Sequence, residues 1–237
     1  NKAVHDILGF NVSKLPITSY TISIGDMSEL DEKIELSNPY SIIKVKLGTP
    51  NDDKEIISQI RQRTDKLIRV DANEGWSLDN AKEMSYWLAD RNVEFIEQPF
   101  KAKMLNETRS LKEFSPLPLF ADENSLVSSD ISKIADCFDG INIKLMKCGG
   151  LDEALKMIEI AKHFDMQIML GCMVESSVGI TAAAQLASEA VAVDLDGNLL
   201  IDNDPYKGVE VIEGRLNLSP NNYGMGLSLS KQEEGLL

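Results

Sequence analysis

Short β-branched runs alternate with amphipathic, helix-period segments along this sequence, and the strand-like run recurs eight times. The runs occupy residues 19–24, 41–47, 67–70, 93–96, 117–121, 140–145, 167–170 and 190–193. Between them, residues 53–63, 77–91, 152–163 and 180–188 carry apolar side chains at helical spacing. Ser77, and Asp152 behind Gly149-Gly150, stand where helix N-caps belong. Strands separated by helices return through crossovers and pair in parallel, and eight such units are the number that closes a (β/α)8 barrel. An open doubly wound sheet is the competing architecture; it usually carries fewer strands, and no GxGxxG turn follows any strand here. The expected fold is therefore α/β, a modified (β/α)8 or TIM-type barrel over 17–215, with 1–16 a helical lead-in and 216–237 a C-terminal segment.

With 237 residues, 43% of them hydrophobic, the chain can bury the core such a barrel needs. A net charge of −14 argues against nucleic acid or an anionic membrane surface as partner. No run approaches the ~18 apolar residues that span a bilayer, and no signal-like N-terminus is present. Cys137, Cys148 and Cys172, odd in number and well spread, read as reduced thiols, so the expected location is the cytoplasm. The chain opens Asn1-Lys2-Ala3 without an initiator Met and is expected to be processed or truncated at its front.

The chemistry-bearing residues sit at the C-terminal ends of the strands, where barrel enzymes place their active sites. Lys44 and Lys46 end the second run, Asp71-Ala72-Asn73 the third, Glu97-Gln98-Pro99 the fourth, Asp122-Glu123 the fifth, and Asn142-Ile143-Lys144 the sixth. From Lys46 through Asp71, Glu97 and Asp122 to Lys144, the steps are 25, 26, 25 and 22 residues, one charge per βα unit. Strand alternation turns Ile43, Val45 and Leu47 toward the helices and Lys44 and Lys46 into the barrel; Ile141, Ile143 and Leu145 and their neighbours Asn142 and Lys144 repeat the pattern. A solvated lysine face would explain this in an antiparallel sheet, but neither face of a parallel barrel offers bulk water.

Asp71, Glu97 and Asp122 converge from adjacent strands, and three such carboxylates repel unless a cation neutralises them. All-oxygen ligands suit Mg²⁺. Strands two and six are four apart in a ring of eight, so Lys46 and Lys144 face each other across the mouth with the metal between them on one side. A substrate carbon held there has an amine on each face: one lysine removes the α-proton, the other returns a proton from the opposite side, and Mg²⁺ stabilises the enolate between. A lysine base near neutral pH needs a lowered pKa, and Lys44 beside Lys46 is the expected like-charge cause.

These residues resemble the enolase superfamily, in its muconate-lactonizing-enzyme subgroup, whose sites pair a lysine base with Mg²⁺. The resemblance runs through SYTISI around Thr21, KVK at Lys44–Lys46, DAN at 71–73, EQP at 97–99, ADE at 121–123, NIKLMKCGG at 142–150 and GCMVESSVG at 171–179. It implies one Mg²⁺ on Asp71, Glu97 and Asp122, with Lys46 and Lys144 the acid/base pair. Lys147 lies on the same segment, but Lys144 falls at the family's catalytic position. The resemblance also implies an N-terminal α+β capping domain, absent from this sequence, with KAVHDILGF the helix remnant that leads from it.

Subgroup members divide this machinery among epimerisation, cycloisomerisation and dehydration. Asp194-Leu195-Asp196 on the eighth run is the discriminator: two acids at i and i+2 share a face across the mouth from the metal. Uncompensated acids there suit an ammonium group, and a substrate with a carboxylate at one end and an ammonium at the other is a dipeptide. The DxD pattern resembles that of dipeptide epimerases; DLDGN is also good turn chemistry. The same resemblance implies that Thr21, Lys44, Asn73, Cys172, Met173 and Val174 line the substrate site, with Cys172 where some relatives have Ser.

The expected function is thus Mg²⁺-dependent inversion of a dipeptide α-carbon by 1,1-proton transfer, an isomerase reaction. The alternatives are another subgroup activity (cycloisomerase, o-succinylbenzoate synthase or N-acylamino acid racemase) or a non-catalytic truncated barrel. A small-molecule dipeptide is the expected partner, with a homo-oligomer as a further option. His5 and His163 lie away from strand ends, which disfavours histidine catalysis or a zinc site. Met166, Met169 and Met173 are expected to pack in the barrel, and Trp76 and Trp87 between helix and barrel.

Overall fold

In the computed structural model, which describes residues 2–13, 15–23, 25, 27–49, 51–218 and 223–230, eight parallel strands follow one another in chain order around one sheet. The elements are α1 (Val4–Leu8), β1 (Tyr20–Ile22), α2 (Leu30–Leu36), β2 (Ile42–Lys46), α3 (Asp53–Arg63), β3 (Leu67–Asp71), α4 (Leu78–Ala89), β4 (Val93–Glu97), α5 (Leu105–Phe114), β5 (Leu119–Ala121), α6 (Ser128–Ile134), β6 (Gly140–Lys144), α7 (Leu145–Cys148), α8 (Leu151–His163), β7 (Gln167–Gly171), α9 (Ser177–Ala184) and β8 (Ala192–Asp194). Closure between the first and last strands is short: Thr18 bridges Val193 in parallel, Ser19 N–H donates to Val193 O at 3.3 Å, and Leu195 N–H donates to Thr18 Oγ1 at 2.7 Å.

The helices bury the faces their spacing dictates. Ile56, Ile57 and Ile60 of α3, Ala81, Met84 and Leu88 of α4, and Ala154, Met157, Ile158 and Ala161 of α8 all pack into the layer around the barrel. Ser77 caps α4 by accepting from Asn80 N–H at 3.3 Å. Among the described residues the eighth unit has no α-helix: β8 runs into a 3₁₀ turn at Gly197–Leu200, followed by an antiparallel hairpin of Glu210–Ile212 and Arg215–Asn217. At the other end of the chain, α1 docks through His5, whose backbone N–H and Nδ1 lie 3.0 and 2.7 Å from Gln185 Oε1, and through Val4 N–H to Gly224 O at 2.8 Å.

Strand ends differ from the expected ones by a residue or two, and the differences concern the site. Pairing of Lys46 with Asp71 and of Asp71 with Glu97 makes both acids the last residues of their strands rather than loop residues. β6 stops at Lys144, because Leu145 opens a one-turn helix. β5 starts only at Leu119, since Pro118 has no N–H to give the ladder. Ile24, Lys231 and Leu237, which fall in the expected first run and C-terminal segment, lie outside the described residues.

One inward step below the charged strand ends, Phe95, Phe120, Met169 and Ala192 fill the barrel, with Arg69 buried among them, donating to Val193 O at 2.8 Å and to Glu94 at 2.7 Å. Met166 packs in the core as expected, but Met173 does not: it is 45% exposed on the loop after β7. Gly140 is required by this filling, because a Cβ there would lie 2.4 Å from the Phe120 ring. Gly140→Ala should therefore cost about 1–3 kcal/mol through overpacking, seen as a lowered thermal midpoint; an unchanged midpoint would show that the ring can move aside.

Candidate active site

The strand register sets out the site in a row. Lys46 pairs with Asp71 and Asp71 with Glu97 across β2, β3 and β4, Asp122 stands one residue past β5, and Lys144 pairs with Gly171, which pairs with Asp194, across β6, β7 and β8. Gly171 has no room for a side chain: a Cβ there would meet Asn142 Oδ1 at 2.5 Å. Asn142 is thereby held with its Nδ2 donating to Glu97 Oε1 at 2.7 Å.

Asp71, Glu97 and Asp122 are all buried, and one oxygen of each lies within 4.8 Å of the others, a group able to hold a metal ion. Each also has protein partners. Asp71 accepts from Lys46 Nζ at 2.7 Å and from Asn73 N–H at 3.0 Å. Asp122 binds Lys144 Nζ through Oδ2 at 2.8 Å and Lys147 Nζ through Oδ1 at 2.6 Å. Glu97 Oε2 lies 2.8 Å from Lys44 Nζ but outside hydrogen-bond alignment.

The charge balance decides which acids are ionised. Burial raises the Asp71 carboxyl, but Lys44 and Lys46 outweigh it and hold the group at about 2. Burial also opposes ionisation of Asp122, and Lys144 and Lys147 override it, so this acid too is lowered. Glu97 is pushed the other way, up to about 7, first by burial and then by Asp71. It is the acid of the three whose negative charge the surrounding lysines compensate least. Lys144 is shifted upward, contrary to the lowered pKa expected of a lysine base, because Asp122 and Glu97 outweigh burial and the repulsion of Lys44.

Lys44 departs from its expected part. It is 1% exposed and lies 2.8 Å from Glu97, 2.9 Å from Asp194 and 3.4 Å from Asp71. Burial works against its charge, yet these acids keep its pKa well above the ordinary lysine value. It is no bare like charge beside Lys46 but the cation that ties the acidic triad to the far side of the mouth. The same contact corrects the expectation for Asp194, which is not uncompensated. Besides Lys44 it accepts from Ser19 Oγ at 2.6 Å and lies 3.4 Å from Thr21 Oγ1; Lys44 first, and then Ser19, override burial and lower it.

Asp196 has no cation within ion-pairing distance among the described residues. It accepts from Thr21 N–H at 2.8 Å and is pushed up to about 6 by burial and by Asp194. Cys172 Sγ lies 4.0 Å from Asp196 Oδ1, and burial with the two neighbouring acids raises that thiol strongly. Met173 and Val174 follow on the exposed loop, 45% and 63% accessible, and Asn73 sits beside Asp71 at φ +46°. Of the expected site residues, Thr21 and Cys172 thus gather around Asp196, Lys46 and Lys144 around the triad, and Lys44 is sealed beneath both.

Sequence reasoning missed Ser19, Gln98 and the part of Lys147. Ser19 could have been found from its alternation with Thr21. Gln98 sits at φ +38°, and its Oε1 accepts from Asp122 N–H at 2.9 Å, a constraint with no local pattern. Lys147 reaches Asp122 only because Leu145–Cys148 is helical, which a strand reading through Leu145 conceals.

Residues 28–233 match the family described as enolase C-terminal domain-like. The chain is 44% identical over 217 residues to an L-Ala-D/L-Glu epimerase from Bacteroides thetaiotaomicron, covering 91% of this chain and 56% of that protein. A solved dipeptide epimerase from Cytophaga hutchinsonii, complexed with Mg and D-Ala-L-Val, superposes with a TM-score of 0.88 at 29% identity over 96% of this chain and 65% of that one. An N-succinyl Arg/Lys racemase from Bacillus cereus does so equally, TM-score 0.88 and 29% identity, over 100% of this chain and 67% of that one. The chain therefore spans little more than half the length of the Bacteroides relative and about two thirds of the two solved structures. The eight-stranded parallel barrel, the carboxylate triad at its strand ends and the family match together place the chain in the enolase C-terminal domain-like family.

Proposed function

We propose that this chain is the catalytic barrel of a Mg²⁺-dependent dipeptide epimerase, an isomerase that inverts an α-carbon by 1,1-proton transfer. The carrying observation is the placement of Lys46 on β2 and Lys144 on β6, opposite one another in the ring, with the buried triad of Asp71, Glu97 and Asp122 on the strands between. The triad fits the metal on its own chemistry: hard carboxylate oxygens, close enough to share one ion, with Glu97 short of compensating charge. When bound, Mg²⁺ supplies positive charge at the substrate carboxylate, which lowers the cost of removing the adjacent α-proton.

The rest is done by the chain's own residues. The lysine on one face, as a neutral amine, takes the α-proton and becomes an ammonium; for Lys144, which Asp122 and Glu97 raise, this requires the cation to neutralise those two acids. The lysine on the other face gives up a proton and becomes an amine, so the carbon leaves inverted and the pair has exchanged protonation states. Lys44, locked among three acids, keeps a fixed positive charge below the reacting centre. Asp196 is the acid that would take the substrate ammonium, while Asp194, already paired with Lys44, orients Thr21 and Ser19 beside it. A reducing cytoplasmic setting suits the three free cysteines.

The dipeptide reading is supported by the names of the relatives and by Asp196; an N-acylamino acid substrate is the second reading, favoured by the N-succinyl Arg/Lys racemase neighbour and by the compensation of Asp194. An α-proton exchange assay in D₂O over a dipeptide library and matched N-acyl amino acids separates them. Dipeptides should exchange. Asp196 is ionised only above about 6, so their KM should fall as pH rises through that value. Asp196→Asn should remove the pH dependence and raise KM about 30-fold or more, the effect of losing roughly 2 kcal/mol from a buried charged contact. Exchange of N-acyl substrates alone, indifferent to Asp196→Asn, would replace the dipeptide reading.

A further inference from the structure

Each carboxylate of the triad must keep its orientation while the two lysines leave it to serve the substrate. If Lys46 moves off Asp71, that acid still has Asn73 N–H at 3.0 Å and Lys44 at 3.4 Å. Glu97 depends on neither, since Asn142 and Lys44 hold it. Asp122 differs: once Lys144 turns to the substrate, the remaining side-chain donor on it among the described residues is Lys147, at 2.6 Å on Oδ1.

The position of Lys147 follows from local structure. β6 ends at Lys144, and α7 begins at the next residue. A single turn carries the chain from Lys144 to Lys147, and Gly149 at φ +95° ends it. That turn brings both amines to one carboxylate, Lys144 to Oδ2 and Lys147 to Oδ1. Lys147 is in turn held by Glu123 Oε1 at 3.3 Å, from the residue next to Asp122 itself. Glu123 and Lys147 are partly exposed at the rim, 33% and 21% by side chain, whereas Asp122 is buried.

We propose that Lys147, steadied by Glu123, is a positioning residue that fixes the Asp122 carboxylate for the divalent cation and leaves Lys144 free to exchange between Asp122 and the substrate. The assignment rests on the reading of Asp122 as a ligand and Lys144 as an acid/base group. Coulomb's law alone predicts the opposite effect, because a fixed positive charge beside the ion should weaken its binding. Removal of a partner that orients a ligand typically costs 10–100-fold in metal affinity, and that is the effect expected here.

The test is titration of the full chain with Mn²⁺, followed by electron paramagnetic resonance, without substrate. Lys147→Gln should weaken binding about 10–100-fold, Lys147→Arg should restore most of it, and Glu123→Gln should shift it in the same direction by less. At saturating metal, Lys147→Gln should recover most of its α-proton exchange, as expected of a group that acts through Asp122 and not on the substrate. Wild-type or tighter Mn²⁺ binding in Lys147→Gln would overturn the proposal, as would Lys147→Arg behaving like Lys147→Gln. Should Lys147→Gln fail to fold, Glu123→Gln decides in its place: weakened Mn²⁺ binding there supports the proposal, and unchanged affinity overturns it. Failure of the epimerase reading would show separately, as absent exchange in the unmodified chain that nevertheless binds Mn²⁺.

Discussion

Glu97→Gln should abolish turnover and remove most of the stabilisation that Mg²⁺ confers on the folded chain. Glu97 is the central member of the triad, completely buried, pushed up to about 7 by burial and Asp71, and so the acid that gains most when a cation arrives. Gln keeps the side-chain volume and an acceptor for Asn142 but removes the charge. Loss of a ligand should exceed the ~100-fold upper end of what losing an orienting partner costs. At Mg²⁺ equal to 100 times the dissociation constant, the unmodified chain should be stabilised by about 2.7 kcal/mol, or roughly 5–10 °C for a chain of this size. The variant, with its dissociation constant raised to the Mg²⁺ concentration used, should gain only about 0.4 kcal/mol, or roughly 1 °C. Differential scanning calorimetry with and without Mg²⁺ reads the difference. Equal Mg²⁺ shifts in the two proteins would remove Glu97 from the metal site.

The barrel and the ends of its strands could be read from the sequence because both are written in local patterns. Alternation alone put Lys44, Lys46, Asn142 and Lys144 inward, and the βα period alone aligned Asp71, Glu97 and Asp122; the structure has the three acids buried side by side. Charge compensation could not be read, because it depends on which side chains meet across the ring. Lys44 and Asp194 are 150 positions apart in sequence and 2.9 Å apart in space. That contact turned an expected pair of free acids into one paired acid and one, Asp196, without a cation partner among the described residues. It also turned a repelling lysine into a buried hub.

Lys147 illustrates a second limit. A one-residue difference in where β6 ends, Lys144 rather than Leu145, converts the following segment from extended to helical and swings an amine onto Asp122. β-Branched Ile141 and Ile143 mark the strand clearly, but Leu145 suits either conformation. Gln98, at positive φ between Glu97 and Pro99, is set by its bonds to Asp122 and Asn124, which the EQP motif itself does not reveal.

The opposed lysines are central to the proposed chemistry, and single-epimer exchange in D₂O with Lys46→Ala and Lys144→Ala tests them most directly. General acid/base groups contribute about 10²–10⁴-fold, so inversion should fall by that factor in both variants. Because each amine serves one face of the α-carbon, loss of one should spare proton removal from the other face. Followed by proton NMR, Lys46→Ala should still exchange the α-proton of one epimer without inverting it, and Lys144→Ala should do so for the opposite epimer. If both variants exchange the same epimer, or if either inverts at the unmodified rate, the two nitrogens do not flank the reacting carbon.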